Sequence, residues 1–501
     1  MKLTAKYNCD CVEKIQEVLK EHNTTFDTAF TLGDGEVFLQ LAVCKIDPKK
    51  RGKAKSVLLP NSFCPFCGTK TKDEEAANPQ FSLTDDQQTA LVQLQEFIDS
   101  NELLFRVEGY AGTGKSFLVS EFCKWLNSQK IQYIAACPTN KAAKNLRNIA
   151  LAAGIDLEVR TVAQLLGQQP VLNEETGKEE FVSGDNTSIG DYQVVIVDEF
   201  SMVNRDNFKE IVKEARIHDT QLIFVGDRAQ LPPINEKEPM AAKEYMPAAV
   251  LNKIVRYDGE IARVAEAVRS SKDVPDFFTA ADETIICLSE SEWFKKAMEL
   301  FKSAEYKADM DYVRFLAWRN KTVRSLNNYV RLHLWGEGVN PYIPGDRLIA
   351  LTPFFRPKPG ARGKNKWRIF LNNSEEATVT KEGVLKELKF NKDIYRYWEV
   401  MVIPEGATKE HKLLILHKDS KQPHEDKLKY YCQKKMWSSY FDLSRLFDNV
   451  GYAYALTTHK AQGSSIEHVF LDVADMMRSG DRQNLIYTAL TRAKRQAFIL
   501  D

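Results

Sequence analysis

The residues of this sequence best equipped for chemistry are eight in a row, GYAGTGKS, from Gly109 to Ser116. Gly109, Gly114, Lys115 and Ser116 meet the fixed positions of G-x-x-x-x-G-K-[ST], with Gly112 and Thr113 inside the loop. Glycines let a backbone curl until successive N–H groups face an anion. A helix starting at the end of the loop adds a favourable field for phosphate. In such a loop Lys115 would reach the β- and γ-phosphates and Ser116 would hold Mg²⁺, so ATP with Mg²⁺ is the expected ligand. The bland alternative is a Gly-rich turn that binds nothing, and the complete motif argues against it.

Two more groups fit the same chemistry. Asp198 and Glu199 follow the apolar run Val194-Val195-Ile196-Val197. Asp198 at the end of a buried strand can hold Mg²⁺ through water, and Glu199 can polarise an attacking water. Acids often cap strands, but this pair lies downstream of a phosphate loop. Gln230, in VGDRAQLPP, is placed to sense the γ-phosphate; otherwise it is a polar turn before Pro232-Pro233.

These groups need a scaffold that brings loop ends together. Leu103 to Val107 reads as a buried strand and Phe117 to Leu126 as a helix. Gln132 to Cys137 and Leu222 to Val225 are further strands with polar residues at their C-terminal ends. Thr84 reads as the N-cap of a helix opening this region. Alternation of strand and helix describes an α/β fold with a parallel sheet and a site along one edge. The pattern repeats beyond residue 240: Phe315 to Trp318, Gly451 to Leu456, His468 to Asp472 and Ala497 to Leu500 as strands, and Gln483 to Ala493 as a helix. No second phosphate loop occurs there, which suits one ATP between two lobes.

The whole chain has 501 residues, about three to five domains' worth. With 69 basic and 69 acidic side chains the net charge is zero, so a nucleic-acid surface must be local. No apolar run reaches membrane-spanning length. The first residues lack the apolar core of a secretion signal. Nine scattered cysteines suit a reducing compartment. The expected location is therefore cytoplasmic, without a membrane partner.

Residues 1–78 read as a separate module ending in a linker, Asp73 to Pro79. Cys9 and Cys11 form one pair and Cys64 and Cys67, in C-P-F-C-G, another. Four thiolates would suit tetrahedral Zn²⁺, although the separation of the pairs exceeds ordinary ribbon spacing; buried free thiols are the alternative. Cys44, in FLQLAVC, fits a packed strand. The basic run from Lys45 to Lys55 reads as a solvated loop or a nucleic-acid contact.

Taken in order, GYAGTGKS, CPTNKAA, VDEFSM, VGDRAQLPP, THKAQGSS and YTALTRAK resemble the motifs of superfamily 1 helicases, most of all the RecD/Dda branch. The resemblance covers about 81–501. It implies P-loop NTPase architecture: a first RecA-like lobe over 79–240 and a second over 241–344 and 449–501, with ATP between them. By the same resemblance Gln87 would help read the base, and Gly463 would border the nucleotide. Arg256 and Arg492 would be arginines supplied by the second lobe to the γ-phosphate; a surface ion pair is the alternative for Arg256. Pro138, Thr139, Thr161, Thr457, His459 and Lys460 fall at positions that face DNA. Ala163 departs from the family, which often has histidine there, and Gln164 is the possible substitute.

Two insertions resemble accessory pieces of the family. Gln168 to Val182 reads as a β-hairpin at the position of a strand-separating pin, with Phe181 able to stack on a base or to brace the hairpin. Residues 345–448 carry short β-like runs and resemble an SH3-like domain, with Phe354, Phe355, Trp367 and Arg368 as candidate DNA-facing groups or, alternatively, parts of a small β core. The activity implied is an ATP-dependent DNA helicase moving 5′ to 3′ on single-stranded DNA and opening single-strand/duplex junctions. Its setting would be replication, recombination or repair in a bacterial or phage-infected cell, with a replication or single-strand-binding protein as a further partner. The rival readings are an RNA helicase of the same superfamily and a nucleic-acid scaffold without catalysis.

Overall fold

The computed structural model describes residues 24–33, 36–45, 56–58, 83–172, 179–182, 187–233, 235–255, 260–271, 273–357 and 367–500. The chain divides into two units, Met1–Ser82 and Leu83–Asp501. In the first unit, β1 (Thr24–Gly33) and β2 (Glu36–Lys45) form an antiparallel hairpin, and β3 (Ser56–Leu58) pairs with β2. Cys44 falls in β2. Cys9, Cys11, Cys64 and Cys67 lie outside the described residues. Among the described residues no group of three or more His, Cys, Asp or Glu side chains is placed to hold a metal ion. No helix among them is long and apolar enough to cross a membrane.

The second unit opens with α1 (Asp85–Ile98), capped by Thr84 in a capping box with Gln87. Then come β4 (Leu104–Gly109), α2 (Lys115–Ser128), β5 (Tyr133–Cys137), α3 (Asn140–Ala152), β6 (Val159–Thr161) and the single turn α4 (Val162–Leu165). The expected hairpin is present as β7 (Gln169–Leu172) and β8 (Glu179–Val182), antiparallel with Pro170 opposite Phe181. After it follow β9 (Val194–Val197), α5 (Arg205–His218), β10 (Gln221–Gly226) and β11 (Ala248–Leu251). The six-stranded sheet has the order β11-β4-β10-β9-β5-β6 and is parallel throughout.

Strand alternation sorts its apolar residues onto two faces. Phe105, Val107, Val194, Ile196, Ile223 and Val225 pack with Leu94 of α1, Phe122 of α2 and Leu146 of α3. Leu104, Val195, Val197, Leu222 and Phe224 pack with Phe208 and Ile211 of α5. A sheet covered on both faces needs continuously apolar strands, which is why β9 is Val-Val-Ile-Val and buried along its whole length.

The second lobe is built from two stretches of chain. The first contributes α6 (Glu260–Ser270), β12 (Ile285–Leu288), α7 (Glu290–Phe301), β13 (Val313–Ala317) and α8 (Asn320–Trp335). An inserted region follows, with β14 (Arg347–Ala350), β15 (Phe354–Pro357), β16 (Trp367–Leu371), β17 (Glu376–Phe390), β18 (Asp393–Pro404) and β19 (His411–Leu416). It continues with α9 (Lys418–Gln433), α10 (Trp437–Ser444) and β20 (Val450–Tyr452). The chain then returns to the lobe through β21 (Ala455–Thr457), the short α11 (Thr458–Ala461), β22 (Ile466–Leu471), α12 (Arg482–Leu490) and β23 (Ala493–Leu500). The lobe's parallel sheet has the order β12-β23-β22-β13-β21. The run Gly451 to Leu456, expected as one strand, is split: β20 closes the inserted sheet, and β21 opens the lobe's edge.

The inserted sheet is antiparallel, β19-β18-β17-β14-β20, with β15 and β16 as a separate ribbon. Phe354 and Phe355 are 3% and 8% exposed, so they pack inside the insert and do not face a nucleic acid as expected. Trp367 and Arg368 fall in β16, whose backbone alone is described there. Helices α9 and α10 were not foreseen from β-like runs; α9 is rich in charge and carries Pro423, and α10 is aromatic and polar with Asp442 as its one acid.

A buried charge cluster joins the first lobe, the second lobe and the insert. Lys141 of α3 lies 3.4 Å from both Asp311 and Glu376, and Arg314 of β13 lies 2.5 Å from Glu376 and 3.3 Å from Asp311. The Arg314 and Glu376 side chains are 1% and 2% exposed. Such a pair is tolerated only because each charge meets its opposite with further hydrogen bonds; the Arg314 guanidinium also donates to the Ala453 carbonyl.

Candidate nucleotide site between the lobes

The loop after β4 takes the conformation its glycines allow. Gly112 and Gly114 have φ of +82° and +77°. At Gly114 a Cβ would also lie 2.4 Å from Gln87 Nε2. Gln87 itself is buried; its Nε2 donates to the Thr113 carbonyl at 2.8 Å and its Oε1 accepts from Thr84 N. The structure thus places Gln87, expected at the base, under the phosphate loop as a brace. Lys115 begins α2, and its Nζ donates to the carbonyls of Gly109 and Tyr110 at 2.7 and 3.1 Å. The ammonium is folded onto its own loop, within a side chain's swing of the space beside it.

That space is a cavity of about 150 Å³. It is lined by Gly112, Gly114, Lys115, Ser116, Asp198, Glu199 and Gln230 from the first lobe, and by Gly463, Ser464, Ser465 and Arg492 from the second. Gly109 and Thr113 belong to the loop but do not line the cavity. Parallel topology explains the convergence, because β4, β9 and β10 run side by side and all end at this edge. Glu199 leaves β9 with φ of +55°, a left-handed turn that is costly for a non-glycine residue and concentrates at functional sites. Burial, then the neighbouring Asp198 and Glu199 carboxylates, push the Cys137 thiol well above its ordinary pKa. It stays neutral behind the acids.

Three buried polar atoms at this cavity have no hydrogen-bond partner: Glu199 Oε2, Gln230 Oε1 and Ser464 Oγ. Buried polar groups in folded proteins are almost always paired, so three orphans around one space mark a place completed by a ligand. Arg492 is only 3% exposed. Its guanidinium donates to the Thr488 and Ser464 carbonyls and the Thr491 hydroxyl, at 3.1 to 3.3 Å. All three are neutral oxygens, which suits a cation held for an anion. The Ser116 hydroxyl and Asp198 carboxylate are hard oxygen donors of the kind Mg²⁺ takes. The group fits a nucleoside triphosphate with its metal. Arg256 lies outside the described residues, although Val255 N, just before it, donates to the Gly112 carbonyl at 2.7 Å.

The candidate nucleic-acid residues form a second group that does not line this cavity. Thr139, Thr161 and Thr457 each cap a helix or helical turn at the C-terminal end of a parallel strand, accepting from Ala142, Gln164 and Lys460 N. Cys137 and Thr161 are register partners in adjacent strands, with Pro138 next in the chain. Gln164, the possible substitute for the missing histidine, is committed to the Thr161 capping box. Burial lowers the pKa of His459 and Lys460 in α11. Across the lobe interface Asn145 of α3 donates to the Gly463 carbonyl at 3.5 Å. Gly463, with φ of +75°, approaches Ala142 so closely that a Cβ would lie 3.1 Å from the alanine's own. The nucleotide edge and the capped turns thus meet at one glycine. Phe181 falls in β8, whose backbone alone is described.

Sequence reasoning gave no role to Asp227, Asn484, Tyr487 or Thr488, which hold the lobes together around Gln230. Their signal was faint: an acid at a strand end, and polar residues in a helix otherwise buried.

Fold and site together define a two-lobed P-loop nucleoside triphosphatase. Residues 82–287 match the AAA domain family and residues 452–500 the UvrD-like helicase C-terminal domain. An uncharacterised protein of Acanthamoeba polyphaga mimivirus is 23% identical over 495 residues, covering 83% of this chain and 99% of its own. The ATP-dependent DNA helicase Dda of Enterobacteria phage T4 is 25% identical over 445 residues, covering 83% and 98%. A Bacteroides Pif1 helicase solved with ADP-AlF3 and single-stranded DNA superposes with a TM-score of 0.45 at 16% identity, over 83% of this chain and 92% of that one. In its sequence and its motifs the chain is similar to superfamily 1 helicases of the branch that holds Dda and Pif1, and its lobes have the RecA-like fold.

Proposed function

We propose that this protein is an ATP-dependent DNA helicase that moves 5′ to 3′ along single-stranded DNA and opens duplex at the junction. One observation carries the reading: a single cavity gathers phosphate loop, acid pair and Gln230 from one lobe with Gly463 and Arg492 from the other. A site shared in this way changes shape when the lobes move, so hydrolysis and lobe motion are linked.

In this reading Lys115 and the loop N–H groups hold the phosphates, and Glu199 orients the attacking water. Ser116 and Asp198 would hold Mg²⁺, which neutralises phosphate charge. Gln230, Arg492 and Arg256 meet the γ-phosphate and stabilise the charge that develops on it. Gln87 braces the loop through the Thr113 carbonyl, and by the family resemblance it would also help read the base. Pro138, Thr139, Thr161, Thr457, His459 and Lys460 contact the DNA backbone, and the hairpin bearing Phe181 divides the strands. Each closure of the lobes shifts one set of backbone contacts relative to the other, which moves the protein along the strand. The polarity follows the branch resemblance. We place the enzyme in the cytoplasm of a bacterial or phage-infected cell, acting in replication, recombination or repair beside a single-strand-binding or replication protein. We also infer one structural Zn²⁺ at Cys9, Cys11, Cys64 and Cys67, to be checked by metal analysis of the full chain.

Strand displacement on duplexes with a 5′ or a 3′ single-stranded tail, in DNA and in RNA, tests the main reading. ATP-dependent displacement of the 5′-tailed DNA is expected. Activity only from a 3′ tail would refute the polarity, and activity only on RNA the substrate.

A further inference from the structure

Asp227 sits just past β10, 1% exposed. Its Oδ2 accepts from the Ala111 N–H of the phosphate loop at 2.8 Å and from the Tyr487 hydroxyl of α12 at 2.7 Å. Its Oδ1 accepts from Ala229 N at 2.9 Å. The same Tyr487 oxygen lies 3.1 Å from Ala111 N, so that one N–H is shared between the carboxylate and the phenol. Three further bonds from α12 hold the Gln230 loop: Asn484 Nδ2 donates to the Ala229 carbonyl at 2.9 Å and to the Gln230 carbonyl at 3.4 Å, and Thr488 Oγ1 accepts from Leu231 N at 3.1 Å. Thr488 also accepts from Arg492 through its carbonyl.

Three parts of the site therefore meet around one buried carboxylate. They are the phosphate loop, the loop bearing Gln230, and the helix that leads into Arg492. We propose that Asp227 and Tyr487 are a positioning pair for γ-phosphate cleavage: they register the second lobe's arginine helix on the phosphate loop, so that Arg492 and Gln230 reach the cavity together. Neither side chain lines that cavity, so each acts through Ala111, Gln230 and Arg492 and not on the nucleotide. The charge on Asp227 matters because a hydrogen bond to a charged acceptor is about twice as strong as a neutral one and fixes a loop better. The proposal rests on the ATPase reading above.

The test uses the full chain with Tyr487→Phe, which keeps the ring, with Asp227→Asn, and with both. For Tyr487→Phe we expect DNA-stimulated kcat to fall about tenfold, the loss of one hydrogen bond to a charged group, while KM for ATP moves less than about threefold. Without nucleotide, hydrogen exchange at the Ala111 amide should quicken while amides of β9 keep their protection. The double variant should be no worse than its worse parent, since the pair acts as a unit. Wild-type kcat with wild-type exchange at Ala111 in Tyr487→Phe overturns the proposal. So does a loss of protection spread evenly over the lobe, which marks a merely structural role. If the wild-type chain hydrolyses no ATP, the helicase reading falls, while the exchange arm still judges whether the pair holds the loop.

Discussion

Replacing Arg492 separates catalysis from stability in a way the structure lets one estimate. Its guanidinium is buried and donates three hydrogen bonds, all to neutral oxygens. Losing them costs about 0.5–1.5 kcal/mol each. Against this, a buried cation that forms no ion pair among the described residues carries a desolvation penalty of several kcal/mol, roughly. The two nearly offset, so Arg492→Ala should shift Tm by no more than about 2–4 °C, the equivalent of ~1 kcal/mol in a domain of about 150–250 residues. Catalysis has no such offset. An arginine set against the γ-phosphate is worth roughly 10³-fold or more in kcat. We therefore expect DNA-stimulated kcat to fall about a thousandfold in Arg492→Ala, with KM for ATP rising less than about tenfold. Arg492→Lys keeps the charge but not the fork and should regain only part of the rate. Steady-state ATPase against ATP concentration, beside a thermal melt, reads both quantities. A raised KM with intact kcat would make Arg492 a binding residue, and a collapse of Tm would make it a structural one.

Three further outcomes follow from the same geometry. Glu199→Gln should bind ATP but hydrolyse it poorly, whereas Lys115→Ala should lose binding or turnover; wild-type turnover in Glu199→Gln removes it from the mechanism. Replacing 170–181 with a short Gly/Ser linker should cut strand separation far more than DNA-stimulated ATPase; unwinding at the wild-type rate would move the wedge to the inserted region. The last concerns acid. Burial pushes the Asp475 carboxyl up, but the Arg319 and Trp318 N–H groups, the Thr322 hydroxyl and the Arg319 guanidinium outweigh it and hold the pKa below the ordinary value. Its contribution to stability is complete above the unfolded-state pKa, near about 4, and is lost as pH falls through the folded value. The urea midpoint of Asp475→Asn should lie below wild type by a constant amount above about pH 5 and approach it in stronger acid. A gap unchanged down to pH 3 would refute this.

What was legible in the sequence was local. The loop from Gly109 to Ser116, the Asp198-Glu199 pair behind β9 and the Thr84 cap are written in neighbouring residues, and the hairpin in its two short extended runs. What was not legible depends on distance along the chain. Asp227 and Tyr487 are 260 residues apart and Lys141 and Glu376 are 235 apart; no periodicity joins them. Gln87 is singled out only by its place in a family motif; the bond from its amide to Thr113, 26 residues further on, is not written in its neighbours. Phe354 and Phe355 show that an aromatic in a short β run reads alike whether it faces solvent or a core, and here the core of the insert takes them. The split of Gly451 to Leu456 between two sheets is set by β14 and β13, far upstream.

The charge cluster at the junction of lobes and insert bears on how such enzymes can be recombined. Lys141 of the first lobe, Asp311 and Arg314 of the second and Glu376 of the insert come from three separate regions of the chain, and the two cations are balanced only by both acids together. The inserted sheet is therefore no cassette to be swapped at its boundaries. A chimera that imports another insert without an acid at the place of Glu376 leaves two cations to the single carboxylate of Asp311, at a cost of several kcal/mol, roughly. The heritable unit is the three-way junction, and exchange among relatives should carry its charges as a set.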